Sequence, residues 1–533
     1  MLTNLRYNKD RVMQLIQATV EGTFGPDIED PGRDGETTPT GGRSRSSSGV
    51  GPYGIASKIS SAITGSKSSL ASDGDSSVFF DAPQPGGVEE YFLEHGGSDS
   101  ASSDDGMDEI AEEDEDTEAS STSGKGDMSD LDKLDAGAGA LKKDEIKRRD
   151  KLPSPVTGDE GGMLSVLRKN VGKDLSTISF PISFNEPLNM LQKLAEDLEY
   201  SNLLDKAAEC EDSIERLCYV TAFVVSSHSG TRGRSSRKPF NPLLGETYEL
   251  VRPDRGFQFI SEKVSHHPPL MAGHADGERW SIDMTASGKQ KFWGRSLEYI
   301  PEGVTVIKLK TKGEKGEDRG EYHYTKPSTF VKNLMAGEKY VEFVGDVTVE
   351  AKSTGEKCHL SFKEGGGGGM FGGGGGGGRA GVEGSVKDKN GKEVAQLMGK
   401  WNEQFSKKTG QDDYRVLWKC NDLPKDHKKY YGFTEWAIQL NEITKDIEDK
   451  LPPFDSRYRP DQQMFESGKL DEAEGKKADL ENKQRQRRKK LEEKGEKYTP
   501  QWFEDKGKGS WAYNGKYWET RNKDGGEWQD LDM

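Results

Sequence analysis

The sequence predicts an α+β fold that is mainly β, in which helices precede a meandering antiparallel sheet or barrel. Apolar residues recur at helical spacing between residues 163 and 225. After residue 230 they alternate with polar ones over short segments, as at Phe257 and Phe259. Turn signals such as the one at 353–355 separate these segments, which favours many short strands joined by hairpins.

The chain divides into a polar N-terminal part and a folded C-terminal part. Hydrophobic residues make up 31% of the 533 residues and charged residues 32%, so part of the chain cannot bury a core. Residues 25–161 are rich in Ser, Gly, Asp and Glu, which predicts a disordered acidic tail. Residues 1–24 have the spacing of a short helix, and residues 162–533 are expected to form one folded domain.

Charge, cysteine usage and hydropathy argue against several classes of protein. The formal net charge of -17 argues against general nucleic-acid binding. The four cysteines are scattered without a CxxC pair, so we expect neither a disulfide framework nor a zinc site, and a reducing, cytoplasmic setting. No apolar run approaches the roughly 20 residues that span a bilayer, so membrane contact is expected to be peripheral.

Further segments complete the predicted outline. A leucine stripe at 191–198 predicts one helix, and 210–225 and 470–494 predict two more. The aromatic segment 502–528 is expected to pack back on the domain. The glycine tract at 365–378 favours a flexible surface loop over a phosphate-binding loop, because no GK[ST] follows it.

The predicted helix at 470–494 carries a possible anion site. Lys477, Glu481 and Arg485 follow one another at a spacing of four residues, which places them along one side of the helix. A carboxylate between two cations would hold both of them, and a guanidinium fork beside an ammonium suits phosphate. A solvated ladder of ion pairs has the same spacing and remains an alternative.

The second candidate is the histidine pair in VSHHPP. Adjacent strand side chains point to opposite faces, so His266 and His267 reach one ligand only at a strand end or in a loop. Pro268 and Pro269 stop the strand and stiffen such a loop. Imidazoles beside a phosphate would favour protonation. A packed core histidine, a metal ligand and a general base remain open, although no carboxylate or Cys at ligand spacing and no partnered nucleophile is evident.

These motifs together resemble a known family. KPFNPLLGETYEL followed by SEKVSHHPP resembles the signature of the oxysterol-binding protein family. The similarity extends to LPPFDSRYRPDQ and EAEGKKADLENKQRQRR, and it covers about residue 163 to the C-terminus. The resemblance implies an incomplete antiparallel β-barrel around a hydrophobic lipid tunnel, a lid at about 163–184, and a C-terminal helical and aromatic subdomain. It also implies a lipid carrier rather than an enzyme, with no cofactor or metal.

The resemblance implies roles for individual residues. The head group of phosphatidylinositol 4-phosphate is expected at the tunnel mouth, bound by Lys238, Asn241, His266, His267, Lys477, Glu481 and Arg485. The lid is expected to carry Leu164, Leu167, Leu175 and Ile178. One departure is Lys263, where the family usually has Gln, and this position is not expected to touch the ligand.

The acidic tail contains a candidate targeting motif. Phe79, Phe80, Asp81 and Ala82 resemble the two-phenylalanine motif in an acidic tract that docks on VAMP-associated receptor proteins of the endoplasmic reticulum. The usual Glu is Val78 here, and Tyr91-Phe92-Leu93 is a weaker second candidate. We therefore expect a protein of the cytoplasm, peripheral at the endoplasmic reticulum and its contact sites with other membranes.

The expected function is the exchange of phosphatidylinositol 4-phosphate for a second lipid, a sterol or phosphatidylserine, between membranes. The main alternative is a phosphoinositide sensor or scaffold without net transfer. A hydrolase that uses His266 or His267 is a weaker alternative, because the sequence has no GxSxG motif and no plausible triad.

Overall fold

The computed structural model describes residues 146–157, 181–234, 237–293, 295–312, 316–334, 339–365, 380–523 and 528. The helices are α1 Met190–Glu196, α2 Asn202–Glu209, α3 Ser213–Ser226, α4 Glu435–Gln439, α5 Pro460–Glu466, α6 Leu470–Lys494 and α7 Tyr517–Arg521. Short 3-10 turns are Ile182–Phe184, Ser229–Thr231, His427–Tyr430 and Ser456–Tyr458. Within these ranges no helix is long and apolar enough to cross a membrane.

Nineteen strands are present in the described ranges. The first ten are β1 Asn185–Asn189, β2 Lys238–Phe240, β3 Thr247–Arg252, β4 Phe257–Ser265, β5 Leu270–Gly277, β6 Trp280–Ala286, β7 Gly288–Phe292, β8 Leu297–Pro301, β9 Thr305–Lys310 and β10 Asp318–Tyr324. The others are β11 Ser328–Lys332, β12 Tyr340–Ala351, β13 Lys357–Phe362, β14 Gly381–Lys387, β15 Glu393–Lys400, β16 Gln404–Lys408, β17 Tyr414–Lys419, β18 Phe503–Gly507 and β19 Ser510–Tyr513.

A single antiparallel sheet of 15 strands dominates the fold. Its main path runs β17-β16-β15-β14-β13-β12-β10-β9-β6-β5-β4-β3, and β7, β8 and β11 form a side branch that joins at β12. β3 and β17 are the two ends of this path, as expected for an incomplete barrel. The edge of β3 is covered, because Thr247 N donates to Phe454 O at 3.1 Å. The predicted mainly β, antiparallel fold is confirmed.

Helices form where the sequence predicts them, but some of their ends differ from the predicted ends. α1 begins at a capping box, in which the Asn189 side chain accepts from Leu191 N and Gln192 N while Asn189 N donates to Gln192 Oε1. α1 ends at Glu196, so the predicted stripe stops before Leu198, which lies in the following turn. The third predicted helix coincides with α6.

The two faces of β4 belong to different apolar clusters. Phe257 and Phe259 join the large cluster between the sheet and helices α1 to α3. Ile260 and Val264 join a smaller cluster, whose other members come from the C-terminal segment and β5: Ala272, Trp502, Phe503 and Tyr517. The aromatic C-terminal segment therefore packs back on the sheet, as the sequence predicted. The histidine motif follows directly after β4.

Candidate functional site

The KPFNP turn, residues 238–242, is held from behind by buried charged groups. The Glu246 carboxylate is fully buried and accepts hydrogen bonds from Leu243 N and from the Asn189 side chain, both at 2.7 Å. Arg459 Nη1 donates to Glu246 Oε2 at 3.1 Å and to the carbonyl oxygen of Asn241 at 2.6 Å. Because these groups are buried and mutually bonded, the backbone of the turn has one well-defined position.

A buried cation from β4 reaches the same turn. The Lys263 side chain is fully buried, and its Nζ donates to Asn241 Oδ1 at 3.1 Å and approaches Met271 Sδ at 3.6 Å. From the sequence, Lys263 is not expected to touch the ligand. The structure places its ammonium group on the side chain of Asn241, a predicted head-group residue.

Lys238 lies in β2, at the start of the KPFNP turn, and is partly exposed. Desolvation, followed by the positive charge of Lys477, lowers the pKa of the Lys238 ammonium to about 7, against opposing contributions from Glu481 and Glu474. These three partners all belong to α6, so the turn and the helix are electrostatic neighbours. A phosphate placed here would stabilise the charged form of Lys238.

The predicted histidine pair forms the turn between β4 and β5. The rings of His266 and His267 lie 4.4 Å apart, at an angle of 67°. Gln484 Nε2 lies 3.4 Å from His266 Nδ1, and Arg488 Nη1 lies 3.2 Å from His267 Nε2. A guanidinium can only donate, so Nε2 of His267 is the acceptor in this contact. Both histidines therefore face α6.

The α6 side chains that meet the histidines differ from those the sequence predicted. Lys477 Nζ lies 3.5 Å from Glu481 Oε1, as expected, but Arg485 donates to Asn482 at 2.7 Å. The expectation that Glu481 holds both cations is thus wrong for Arg485. At about 100° per residue, position 485 is rotated about 80° from Lys477, whereas Gln484 and Arg488 return to within about 20° of it.

A cleft of about 330 Å³ adjoins the histidine turn and α6. It is lined by Leu243, Leu244, Leu480, Lys483, Gln484, Gln486, Arg487, Arg488, Lys490 and Leu491. Gln484 and Arg488, which contact the histidines, also line the cleft, so it is continuous with the same site. The combination of leucines with cationic side chains suits an amphipathic ligand that carries an anionic group.

Three segments thus meet at one place: the KPFNP turn, the histidine turn and α6. The charges of Lys477 and Glu481 on α6 act on the pKa of Lys238, and His266 and His267 contact the same helix. Within the described ranges no group of three His, Cys, Asp or Glu side chains is arranged to hold a metal ion. The arrangement can bind an anion through ammonium, imidazole and amide donors.

Sequence reasoning missed five residues of this site. They are Glu246, Lys263, Arg459, Gln484 and Arg488. Helical periodicity could have found the last two, because they share a face with Lys477. The predicted lid residues 164, 167, 175 and 178 and the docking residues 79–82 lie outside the part of the chain that the structure describes.

The segments that form the candidate site lie within a region that matches a known protein family. The family model described as "Oxysterol-binding protein" matches residues 162–522. Oxysterol-binding protein-related protein 3 of Mus musculus is 39% identical over 376 residues, which is 70% of this chain and 42% of the relative. Oxysterol-binding protein-related protein 1B of Arabidopsis thaliana is 41% identical and covers 72% of this chain and 76% of its own. The chain therefore spans less than half the length of the mouse relative.

Solved structures are similar as well. The Osh3 ORD of Saccharomyces cerevisiae in complex with PI(4)P is 39% identical, with a TM-score of 0.61, over 70% of this chain and 96% of that chain. The Osh1 ORD domain in complex with cholesterol is 34% identical, with a TM-score of 0.64, over 71% of this chain and 92% of that chain. A further structure of the Osh1 ORD domain contains ergosterol.

Proposed function

Because the chain belongs to the oxysterol-binding protein family, we propose that it exchanges phosphatidylinositol 4-phosphate for a second lipid between membranes. The second lipid is a sterol or phosphatidylserine. The observation that carries the proposal is the convergence of Lys238, the histidine pair and α6 at one mouth. Two similar structures, of Osh3 and Osh1, hold PI(4)P and cholesterol respectively, which supports a domain that accepts both kinds of lipid.

The head group and the lipid body contribute differently in this proposal. The phosphate binds at the mouth, where Lys238 and Lys477 supply charge and the histidines supply N–H donors. The lipid body enters the interior of the incomplete barrel, and each buried CH2 contributes about 0.8 kcal/mol. The lid at about 163–184 closes over it. Both lipids occupy the same interior, so a gradient of one drives transport of the other.

The proposed site of action is the endoplasmic reticulum and its contacts with other membranes, where Phe79 and Phe80 dock on a VAMP-associated receptor protein. Aromatic anchors in an acidic segment suit such a short recognition element. Replacing both phenylalanines by Ala is expected to reduce reticulum association severalfold and to leave lipid extraction unchanged. Fluorescence imaging of the tagged full chain measures the first quantity, and Tyr53→Ala, at an aromatic residue outside both candidate motifs, is the matched control. Unchanged association would remove the motif from the proposal.

Extraction from liposomes tests the lipid cargo. The full chain is mixed with vesicles that contain phosphatidylinositol 4-phosphate, cholesterol or phosphatidylserine, and each lipid is measured in the vesicle-free fraction. Stoichiometric extraction of the phosphoinositide and of one other lipid, each displacing the other, is the expected result. Extraction of the phosphoinositide alone would favour the sensor function, and extraction of no lipid would contradict the proposal.

A further inference from the structure

The buried ammonium group of Lys263 lies directly behind the proposed head-group site. β4 presents Lys263 toward the KPFNP turn, and its Nζ donates to Asn241 Oδ1 at 3.1 Å. The side chain is fully buried, so water does not compete for this hydrogen bond as it would at the surface. The Lys263 ammonium group therefore constrains the conformation of the Asn241 side chain.

The chemistry of the two groups fixes the orientation of the amide. An ammonium group has three donors and no acceptor, so only the carbonyl oxygen of the Asn241 side chain can face it. The amide nitrogen, with its two N–H donors, must then point away from Lys263. Without a fixed cation on one side, the amide oxygen and nitrogen of an asparagine could exchange places by a simple rotation.

The backbone of Asn241 is fixed independently of its side chain. Arg459 Nη1 donates to the Asn241 carbonyl oxygen at 2.6 Å, and the same guanidinium is bonded to the buried carboxylates of Glu246 and Asp461. One cation thus holds the main chain and a second holds the side chain. Binding then orders little that is not already ordered, which favours affinity.

We infer that Lys263 is a positioning residue that turns the N–H donors of the Asn241 amide toward an anionic head group. The inference rests on the proposed function, because it assigns Asn241 to the phosphoinositide site. The orientation of the amide should affect the affinity for a phosphorylated head group. It should not affect the affinity for a sterol, which carries no anionic group. A Gln side chain at this position would have an amide N–H that can make the same donation.

A set of variants tests this inference by the coupling between the two residues. Lys263→Met keeps the length of the side chain and removes the donor, Lys263→Gln keeps a donor, and Asn241→Ala removes the acceptor. Affinity for phosphatidylinositol 4-phosphate is measured by extraction from vesicles of graded content, and cholesterol extraction is measured in parallel. Lys289→Met, at an exposed lysine paired with Glu302, is the matched control.

The expected result is a loss of phosphoinositide affinity of about tenfold for Lys263→Met, because one charge-assisted hydrogen bond is removed. Lys263→Gln is expected to recover most of it. The double variant Lys263→Met with Asn241→Ala is expected to lose no more affinity than the more impaired of the two single variants, because both changes disrupt the same interaction. Cholesterol extraction changes less than twofold.

Several outcomes would overturn the inference. They are an unchanged phosphoinositide affinity of Lys263→Met, additive losses in the double variant, or an equal loss of cholesterol extraction, which would indicate a structural role. If Lys263→Met does not fold, Lys263→Leu and its double variant with Asn241→Ala give the same test of coupling, because leucine also removes the donor. Failure of the wild-type chain to extract any phosphoinositide is a different result, which overturns the proposed function and this inference together.

Discussion

The two faces of β4 use buried charge in opposite ways. Glu262 and Lys263 are neighbours in sequence, both are fully buried, and strand alternation turns them to opposite sides. The Glu262 carboxylate accepts from Tyr498 Oη at 2.6 Å and from two backbone N–H groups of the C-terminal segment at 3.0 Å. Lys263 instead donates to the KPFNP turn. One face attaches the C-terminal aromatic segment, and the other faces the proposed head-group site.

Burial of a charged residue therefore does not by itself indicate a binding site. Glu262 is buried among donors from the protein, which is a structural arrangement. Lys263 and Arg459 hold the KPFNP turn, whose Lys238 lies next to the charged residues of α6. The partners of a buried charge, rather than its burial, separate the two roles, and variants on each face are expected to affect different properties.

The largest effect on stability is expected for Arg459→Met, behind the mouth. This change leaves the buried carboxylates of Glu246 and Asp461 without their guanidinium, which costs about 3–5 kcal/mol. Urea unfolding of the full chain measures the free energy. Arg415→Met is the control, because its ion pair with Glu215 is partly exposed and worth at most about 1 kcal/mol. Equal losses in the two variants would contradict the role given to the buried network.

A smaller effect, on the opposite face, is expected for Glu262→Ala. The change removes the acceptor of three hydrogen bonds. Only the donor Trp502 N is fully buried, and one such donor left without a partner costs about 1–3 kcal/mol. The free energy of unfolding should fall, while phosphoinositide affinity of the folded protein stays within twofold. Loss of phosphoinositide affinity at unchanged stability would show that the two faces are not separate.

The protonation of Glu262 gives this prediction a pH signature. Burial raises the pKa of the Glu262 carboxyl to about 7 from an ordinary value of 4.5. The folded state therefore binds this proton more tightly, and the contribution to stability declines as the pH rises from 4.5 through 7. Glu262→Gln cannot titrate, so the difference in unfolding free energy between wild type and this variant should change over that window and be constant above it.

On the mouth side, phosphoinositide affinity is expected to depend on pH through Lys238. Its pKa of about 7 means that the unbound protein loses this proton above neutrality, while a bound phosphate requires it. Affinity should then fall by up to about tenfold per pH unit between 7 and 9. Lys238→Arg stays charged and should flatten the profile. A wild-type profile as flat as that of the variant would contradict the role of Lys238.

The sequence predicted the strands, α6 and the two loop motifs because each has a local signature. Alternation of apolar and polar residues predicts β4, and a long, highly charged segment without Pro predicts α6. It did not reveal that Arg459 holds Asn241, because these residues are 218 positions apart and nothing in the local pattern of either one records the contact. A strict four-residue spacing leads to Arg485 and misses Gln484 and Arg488. An α-helix has 3.6 residues per turn, so two steps of four residues rotate a side chain away from the face of Lys477.

We propose that the histidine turn, the KPFNP turn and α6 together bind a phosphoinositide head group. Extraction of phosphatidylinositol 4-phosphate from liposomes by the double variant His266→Ala with His267→Ala tests this proposal. His359→Ala, at an exposed histidine on β13, is the matched control. We expect the double variant to keep its fold and to lose phosphoinositide extraction by about 100-fold or more, because two donors to one anion are removed. Extraction by the control variant should be unchanged. Normal extraction by the folded double variant would contradict the proposal.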